Sequence, residues 1–300
     1  AGSKNIDTFT IGFQLAPRLN AAGRLSSADK AFEILIEDNP TKVSELANDL
    51  EKNNIKRQKI IEQAMKQARE KIKEEDVANI HFLYDKDWLP GVVGLIAGRL
   101  SDELYRPVLA MTDSHGSIVG SGRSIAGFNI IETLRKADKY LSRFGGHAGA
   151  CGFTLSNSEV RQEFQDEMKK HVDKNLDQKD LTPFLDVEAD IGIGQVDLKL
   201  LELLEQFAPY GEENARPLFN INGVQVAAID VIGKDETHLR MSVKQNTPQL
   251  FKMLWFGKAK EWIAKLSVGD TIDVVCELGI NEWNGNKNME FKIVDLKKIK

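Results

Sequence analysis

Cysteine is nearly missing from this sequence. Only Cys151 and Cys276 occur in 300 residues, far apart and with no CxxC, which excludes a disulfide framework and a cysteine-ligated zinc site. No apolar run approaches the roughly 20 residues of a membrane span, and no charged-then-apolar export signal opens the chain. Together these absences predict a cytoplasmic protein with no membrane contact. Basic excess is lacking too: the net charge is −5, so any grip on nucleic-acid phosphates must come from local basic surfaces. There is no G-x-S-x-G, no Walker loop and no convincing carboxylate pair. None of the five histidines (His81, His115, His147, His171, His238) has an acidic partner at the spacing of a metal motif. Methionine is absent before Met65, and Ala1-Gly2-Ser3 reads as a cleavage or cloning remnant. A piece of a longer protein is therefore expected.

What is present describes an ordinary globular chain, 42% hydrophobic and 28% charged, and its length suits two domains. Phe9 to Leu25 reads as an ordered loop carrying Arg18 and Arg24, since Pro17 biases Ala16 away from helix and Gly23 permits a turn. Ser26 or Ser27 caps a short helix to Ile36, and Thr41 caps a much longer one to about Glu74. At 1.5 Å per residue the long helix spans about 50 Å, more than one small core needs, which suits a bridge between domains. Its lysines and arginines, Arg57 among them, form either a solvated face or a face toward nucleic acid.

Strands and helices alternate from Asn79. Strands are expected at Ile80–Tyr84, Pro107–Met111, Ser117–Ser124 and Gly152–Leu155, and helices at Val92–Leu104, Ile130–Leu141 and Glu159–Asp173. That alternation is an α/β domain of about 95 residues. A polar linker at Asn175–Lys179 follows, then a strand at Phe184–Ala189 and a helix at Leu198–Phe207. From Pro217 the pattern is nearly all β, at 224–232, 238–243, 250–256, 271–278 and 289–296, with one helix at Lys258–Leu266 and a hairpin tip at Trp283–Asn286. Five strands and one helix in such a length fit a Greek-key barrel of OB type. The expected domains are 1–25, a remnant of a preceding segment; 26–75, connecting helices; 76–176, α/β; and 180–300, the barrel.

The candidate chemistry is anion binding. Phe144 to Gly152 has four glycines around His147, which suits a loop whose exposed N–H groups form a phosphate nest with the imidazole as a further donor. A glycine turn with a core-capping histidine is the plainer alternative. Ser121 and Arg123, two residues apart at a strand end, would point to one side and could share a phosphate; strand-end punctuation is the alternative. Arg18 and Arg24 offer guanidinium forks or merely tie their loop down.

Four stretches then occur in a telling order: A-P-R-L-N-A-A-G-R at Ala16–Arg24, P-G-V-V-G-L-I-A-G-R-L at Pro90–Leu100, G-S-G-R-S at Gly120–Ser124, and F-G-G-H-A-G-A-C-G at Phe144–Gly152. Over residues 9 to 300 the sequence resembles the C-terminal two-thirds of the RecJ family of the DHH phosphoesterase superfamily. The resemblance implies an α/β DHHA1 domain preceded by a long connecting helix and followed by an OB barrel. It implies part of a 5′–3′ single-stranded DNA exonuclease of recombination and repair that uses Mn²⁺ or Mg²⁺. The metal ligands of that family lie in a DHH domain, and no D-H-H occurs here, so this chain alone is expected to be inactive. By the same resemblance His147, Gly145 and Gly146 contact the substrate phosphate opposite the metals. Ser121 and Arg123 hold the 5′-terminal phosphate with Arg18 or Arg24. The implied partners are single-stranded DNA and repair or single-strand-binding proteins. Trp255, Phe256, Trp283 and Phe291 are candidates for base stacking in the barrel, or else its core. Two rivals stand beside this reading: a non-catalytic single-strand-binding or scaffold module, and a DHH-type phosphodiesterase for oligonucleotides or cyclic dinucleotides.

Overall fold

The computed structural model of the chain describes residues 6–73, 78–177, 181–283 and 285–299. It divides into two compact units, Ala1–Pro183 and Phe184–Lys300.

The first unit opens with helix, not the expected loop. A π-helical turn at Thr10–Leu15 runs directly into α1 (Ala16–Leu25). Pro17 falls at the second position of the α segment, just past its junction with the π-helical turn. After α2 (Asp29–Ile36) comes α3 (Pro40–Lys73), 34 residues long. Asn39, rather than Thr41, caps it: its Oδ1 accepts from the Thr41 and Lys42 N–H groups at 3.0 and 3.3 Å. The first half of α3 packs on α1 and α2. Its second half buries Ile61, Ala64, Met65 and Ala68 against the following domain, so α3 is a wall as well as a connector.

That domain is a three-layer α/β/α sandwich. β1 (His81–Tyr84), β2 (Val108–Ser114), β3 (Ser117–Arg123), β4 (Leu141–His147) and β5 (Ala150–Leu155) form a sheet in the order β1-β2-β3-β5-β4. Only β1–β2 is parallel. α4 (Pro90–Leu104) joins β1 to β2 and covers one face with α3, against Leu83, Val108 and Ala110. α5 (Ile130–Lys136) and α6 (Arg161–Asn175) cover the other, against Leu109, Met111, Phe153 and Leu155. The alternation of β2 side chains between the two cores is the period-2 pattern of a doubly covered strand. The helix expected to reach Leu141 stops at Lys136; one 3₁₀ turn at Asp138–Tyr140 follows, and Leu141 already belongs to β4. Of the expected linker, Asn175 ends α6, and residues 178 and 179 lie outside the described residues.

The second unit begins without the expected strand at Phe184–Ala189. Only β6 (Ala189–Asp190) of that stretch pairs, parallel to β7, and Phe184 and Leu185 stay exposed. After α7 (Leu198–Glu205), β7 (Leu218–Ile232), β8 (His238–Lys244), β9 (Phe251–Trp255), β10 (Thr271–Trp283) and β11 (Asn286–Lys298) form one sheet, and a β10–β7 pairing closes it into a five-stranded barrel. Register shifts near residue 227 of β7 and at Val275/Cys276 of β10 supply the curl that closure needs. The expected helix at Lys258–Leu266 is a single turn, α8 (Ala259–Trp262). Among the described residues no helix is long and apolar enough to cross a membrane.

Candidate functional site: a glycine floor between two arginines and a histidine

Phe144 to Gly152 is not a loop. It is a β-hairpin, β4 to β5, with Ala148-Gly149 as its two-residue turn. The anion nest expected of a glycine-rich loop is thus replaced by a strand pair whose side chains are missing. Three rows cross the sheet: Ser121–Gly152–Gly145, Gly122–Cys151–Gly146 and Arg123–Ala150–His147. The first and third rows share one face, because directly opposed residues point the same way. A Cβ at Gly145 would meet no atom within 4 Å, and one at Gly152 only the Gly120 carbonyl at 4.0 Å. The result is a bare, exposed patch of main chain with Ser121 and Arg123 on one side and His147 at one end. At about 4.8 Å per strand, the backbones of Arg123 and His147 lie about 10 Å apart across it.

The turn is fastened from behind. Ala148 O accepts from Ile130 N at 3.1 Å and Gly149 O from Ser124 N at 2.9 Å, which ties the hairpin tip to the start of α5 and to the residue after β3. His147 is exposed, and its Nδ1 accepts the Gly149 N–H at 3.3 Å. The neutral ring therefore carries its proton on Nε2, pointing a donor away from the turn. Gly146 has φ +148°, and a Cβ there would lie 2.2 Å from Ala150 O, so this strand position admits glycine alone.

The opposite rim is built by glycine spacing. On β3, Gly120 and Gly122 face the core, where a Cβ would meet Phe153 at 2.2 Å and Cys151 Sγ at 2.6 Å. Ser121 and Arg123 therefore point to the α4 side. On α4, Gly94 and Gly98 leave room for them: a Cβ at Gly94 would lie 3.1 Å from Ser121 Oγ and 3.3 Å from Arg123 Nη2. Arg123 Nη1 donates to Ser121 Oγ at 3.0 Å and to Gly122 O at 2.8 Å, and Ser121 Oγ donates to Cys151 O at 3.1 Å. Serine and arginine form one preorganised unit.

Of the two N-terminal arginines, only one joins it. Arg18 is paired with Glu51 and donates to Gln14 O at 2.6 Å, so its charge is neutralised on α3. Arg24 donates to Gly91 O at 3.0 Å, at a contact so close that a Cβ on Gly91 would lie 2.1 Å from the Arg24 carbonyl. Burial, and then the like charge of Arg123, hold the Arg24 guanidinium below its ordinary pKa. Two further arginines, Arg57 of α3 and Arg99 of α4, belong to the same neighbourhood. Arg57 is depressed by burial first, then by Arg24 and Arg99. Arg99 sits within the glycine-spaced P-G-V-V-G-L-I-A-G-R-L stretch, but sequence patterning had no reason to turn Arg57 inward. Among the described residues no carboxylate pairs with Arg24, Arg57, Arg99 or Arg123, and no three His, Cys, Asp or Glu side chains converge as a metal site. The donor set suits an anion and does not fit Mg²⁺ or Mn²⁺.

The barrel offers a separate surface. β9 and β11 pair over only two residues, and a groove of about 570 Å³ opens along them, lined by Arg240, Lys252, Leu254, Asn281, Asn288 and Met289. Trp255 and Phe291 do not serve stacking there: at 3% and 1% exposure they are core, Trp255 against Trp262 with ring centroids 5.0 Å apart. Alternation along β9 sends Trp255 inward with Phe251 and Met253. Phe256, next along, is exposed. Trp283 ends β10, and its side chain lies outside the described residues.

Residues 77–174 match the DHHA1 domain model, and residues 187–295 match the RecJ OB domain model. The chain carries the DHHA1 and OB parts of the RecJ family. It is 32% identical to the single-stranded-DNA-specific exonuclease RecJ of Bacillus subtilis, over 95% of this chain and 36% of the relative. The RecJ of Haemophilus influenzae is 29% identical over 97% of this chain and 52% of the relative. Crystal structures of Thermus thermophilus RecJ in complex with Mg²⁺ and with Mn²⁺ superpose with TM-scores of 0.78 and 0.80 at 28% and 27% identity. They cover 98% of this chain and 44% and 42% of those chains. The chain thus spans about half, or less, of the RecJ proteins it matches.

Proposed function

We propose that this chain is the substrate-binding portion of a 5′–3′ single-stranded DNA exonuclease acting in DNA recombination and repair in the cytoplasm. In this reading residues 26–75 connect, 76–176 handle the phosphates and 180–300 grip the strand. Arg24, Ser121 and Arg123 receive the 5′-terminal phosphate. His147 Nε2–H and the bare main chain of Gly145 and Gly146 face the scissile phosphate, where donors neutralise charge that builds on the phosphoryl oxygens. Mg²⁺ or Mn²⁺ would supply hydroxide in a protein that also carries a D-H-H domain. In this reading the metal ligands belong to that domain, and the part of the protein in this chain binds the strand without cleaving it. A terminal phosphomonoester carries more negative charge than an internal diester, and a guanidinium–hydroxyl cradle reads that difference as exonuclease polarity. The barrel adds grip through Lys252, Arg240 being paired with Asp230 at 3.0 Å, with Phe256 and Trp283 as stacking candidates; a small cyclic substrate would have little use for a strand-gripping barrel.

The observation that carries this reading is the arginine cluster around Ser121, with no carboxylate partner among the described residues. Fluorescence anisotropy with 5′-phosphorylated and 5′-hydroxyl single strands tests it. The phosphorylated strand should bind more tightly, Arg123→Met should erase the difference, and affinity should fall steeply with salt. Equal affinity for both ends in the unaltered chain overturns the assignment.

A further inference from the structure

Arg57 has a position that neither a solvated face nor a structural ion pair explains. Its Nη2 donates to the buried Asn54 Oδ1 at 3.0 Å, while its Nε is buried with no acceptor among the described residues. A buried N–H without a partner is destabilising, and native structures rarely keep one without use. Its charged neighbours worsen the position, since Arg24 and Arg99 are both cations whose charge opposes its own. Elsewhere on α3 the arrangement is conventional: Arg69 is held by Glu103 at 2.8 Å and Lys71 by Asp85 at 3.1 Å. Only near Arg24 do α1, α3, α4 and β3 each contribute an arginine that has no carboxylate among the described residues. Gly91 and Gly94 make that convergence possible, the first by admitting the Arg24 backbone, the second by admitting Arg123.

We propose that Arg57, with Arg99 beside it, is a further phosphate-binding residue of the cradle formed by Arg24, Ser121 and Arg123. The proposal rests on the 5′-phosphate reading above and deepens it. Four guanidinium groups exceed what the single charge of an internal diester calls for, and they fit the dianionic form of a terminal phosphomonoester. Arg57 would then be a specificity-determining residue, and α3 would take part in recognition rather than only spacing two domains.

Isothermal titration of this chain with inorganic phosphate, and anisotropy with 5′-phosphorylated and 5′-hydroxyl oligothymidylate, decide the matter. Arg57→Met and Arg99→Gln should each weaken phosphate binding about tenfold or more and narrow the preference for the phosphorylated end. Arg69→Gln should change neither. Circular dichroism checks that Arg57→Met is folded; if it is not, Arg57→Lys and the exposed Arg99→Gln carry the test. Phosphate binding that survives in the Arg57 and Arg99 variants but is lost in Arg123→Met overturns the role of Arg57 and leaves the cradle standing. Retention in Arg123→Met as well removes the cradle reading, and this proposal with it.

Discussion

Arg123 of β3 and His147 of β4 stand opposite the same residue, Ala150 of β5, and so share one face of the sheet. Their backbones are two strands, about 10 Å, apart, and the Arg123 guanidinium is turned toward Ser121 and Gly94, an arrangement that suits two successive phosphate positions. The two residues should therefore fail differently in a protein that also carries the metal-bearing domain. His147→Ala should lower the hydrolysis rate by about 10²- to 10³-fold, as loss of one charge-stabilising donor does, with KM little changed. Arg123→Met should instead remove the preference for 5′-phosphorylated ends. Steady-state kinetics on both end types checks this, and matching defects in the two variants would reject separate roles.

Gly122 and Gly145 are both strand glycines, yet they answer to different demands. A Cβ at Gly122 would press on Cys151 Sγ at 2.6 Å and Ile130 Cδ1 at 2.9 Å, whereas one at Gly145 would meet nothing within 4 Å. Gly122→Ala should cost about 1–3 kcal/mol by overpacking. Gly145→Ala should leave the melting temperature almost unchanged but weaken binding of a 5′-phosphorylated strand. Calorimetry and anisotropy on the two variants separate packing from ligand approach.

These glycines also mark what the sequence reveals and what it conceals. The succession of an α/β unit and a barrel was legible because strand and helix periods differ sharply. Ser121, Arg123 and His147 stood out because they lie among glycines. The hairpin at Phe144–Gly152 was not legible, since four glycines read as loop until β5 supplies a partner for β4. Residues 9 to 25 misled through Pro17, whose effect depends on which helical turn it occupies. Trp255 and Phe256 are adjacent, and only the register of β9 decides which enters the core. That Arg18 is paired with a carboxylate depends on Glu51, a residue of α3 that sequence distance hides.

The tie between α3 and β1 makes a pH prediction. Lys71 Nζ donates to Tyr84 O at 2.6 Å and to Asp85 Oδ2 at 3.1 Å. Burial pushes the Asp85 carboxyl up, but the Asp87 N–H and the Lys71 ammonium outweigh it and hold the group below its ordinary value. A depressed carboxylate contributes stability that is present above its unfolded pKa, about 3.9, and is lost as pH falls further through the lower folded value. Asp85→Asn should cost about 1 kcal/mol at neutral pH, and the difference should fade in acid. Urea unfolding at several pH values reads this directly; a constant difference down to the most acid pH contradicts it.

Both thiols should be silent in the folded chain. Burial pushes Cys151 up to about 11 and, with help from the Glu277 charge, Cys276 up to about 12. Neither should react with iodoacetamide at about pH 8 unless denaturant is added, since the thiolate is the nucleophile. Mass spectrometry after brief alkylation checks it, and modification of Cys151 without unfolding would mean that the β3–β5 contact opens.

Trp255 and Phe256 give the sharpest test of the barrel's division between core and binding surface. Trp255 is 3% exposed and packs on Trp262, so Trp255→Ala should cost about 3–5 kcal/mol by opening a cavity. Phe256 is 52% exposed, with His238 at its edge 5.2 Å away, so Phe256→Ala should hardly alter stability. If its ring stacks on a base, single-strand affinity should drop about fivefold or more, given about 1–3 kcal/mol for each stacked base. Thermal unfolding and anisotropy with an oligothymidylate strand should therefore show opposite patterns for the two neighbours. A Phe256→Ala variant that binds as tightly as the unaltered chain removes Phe256 from the strand-gripping surface and leaves Trp283 as the aromatic to examine next.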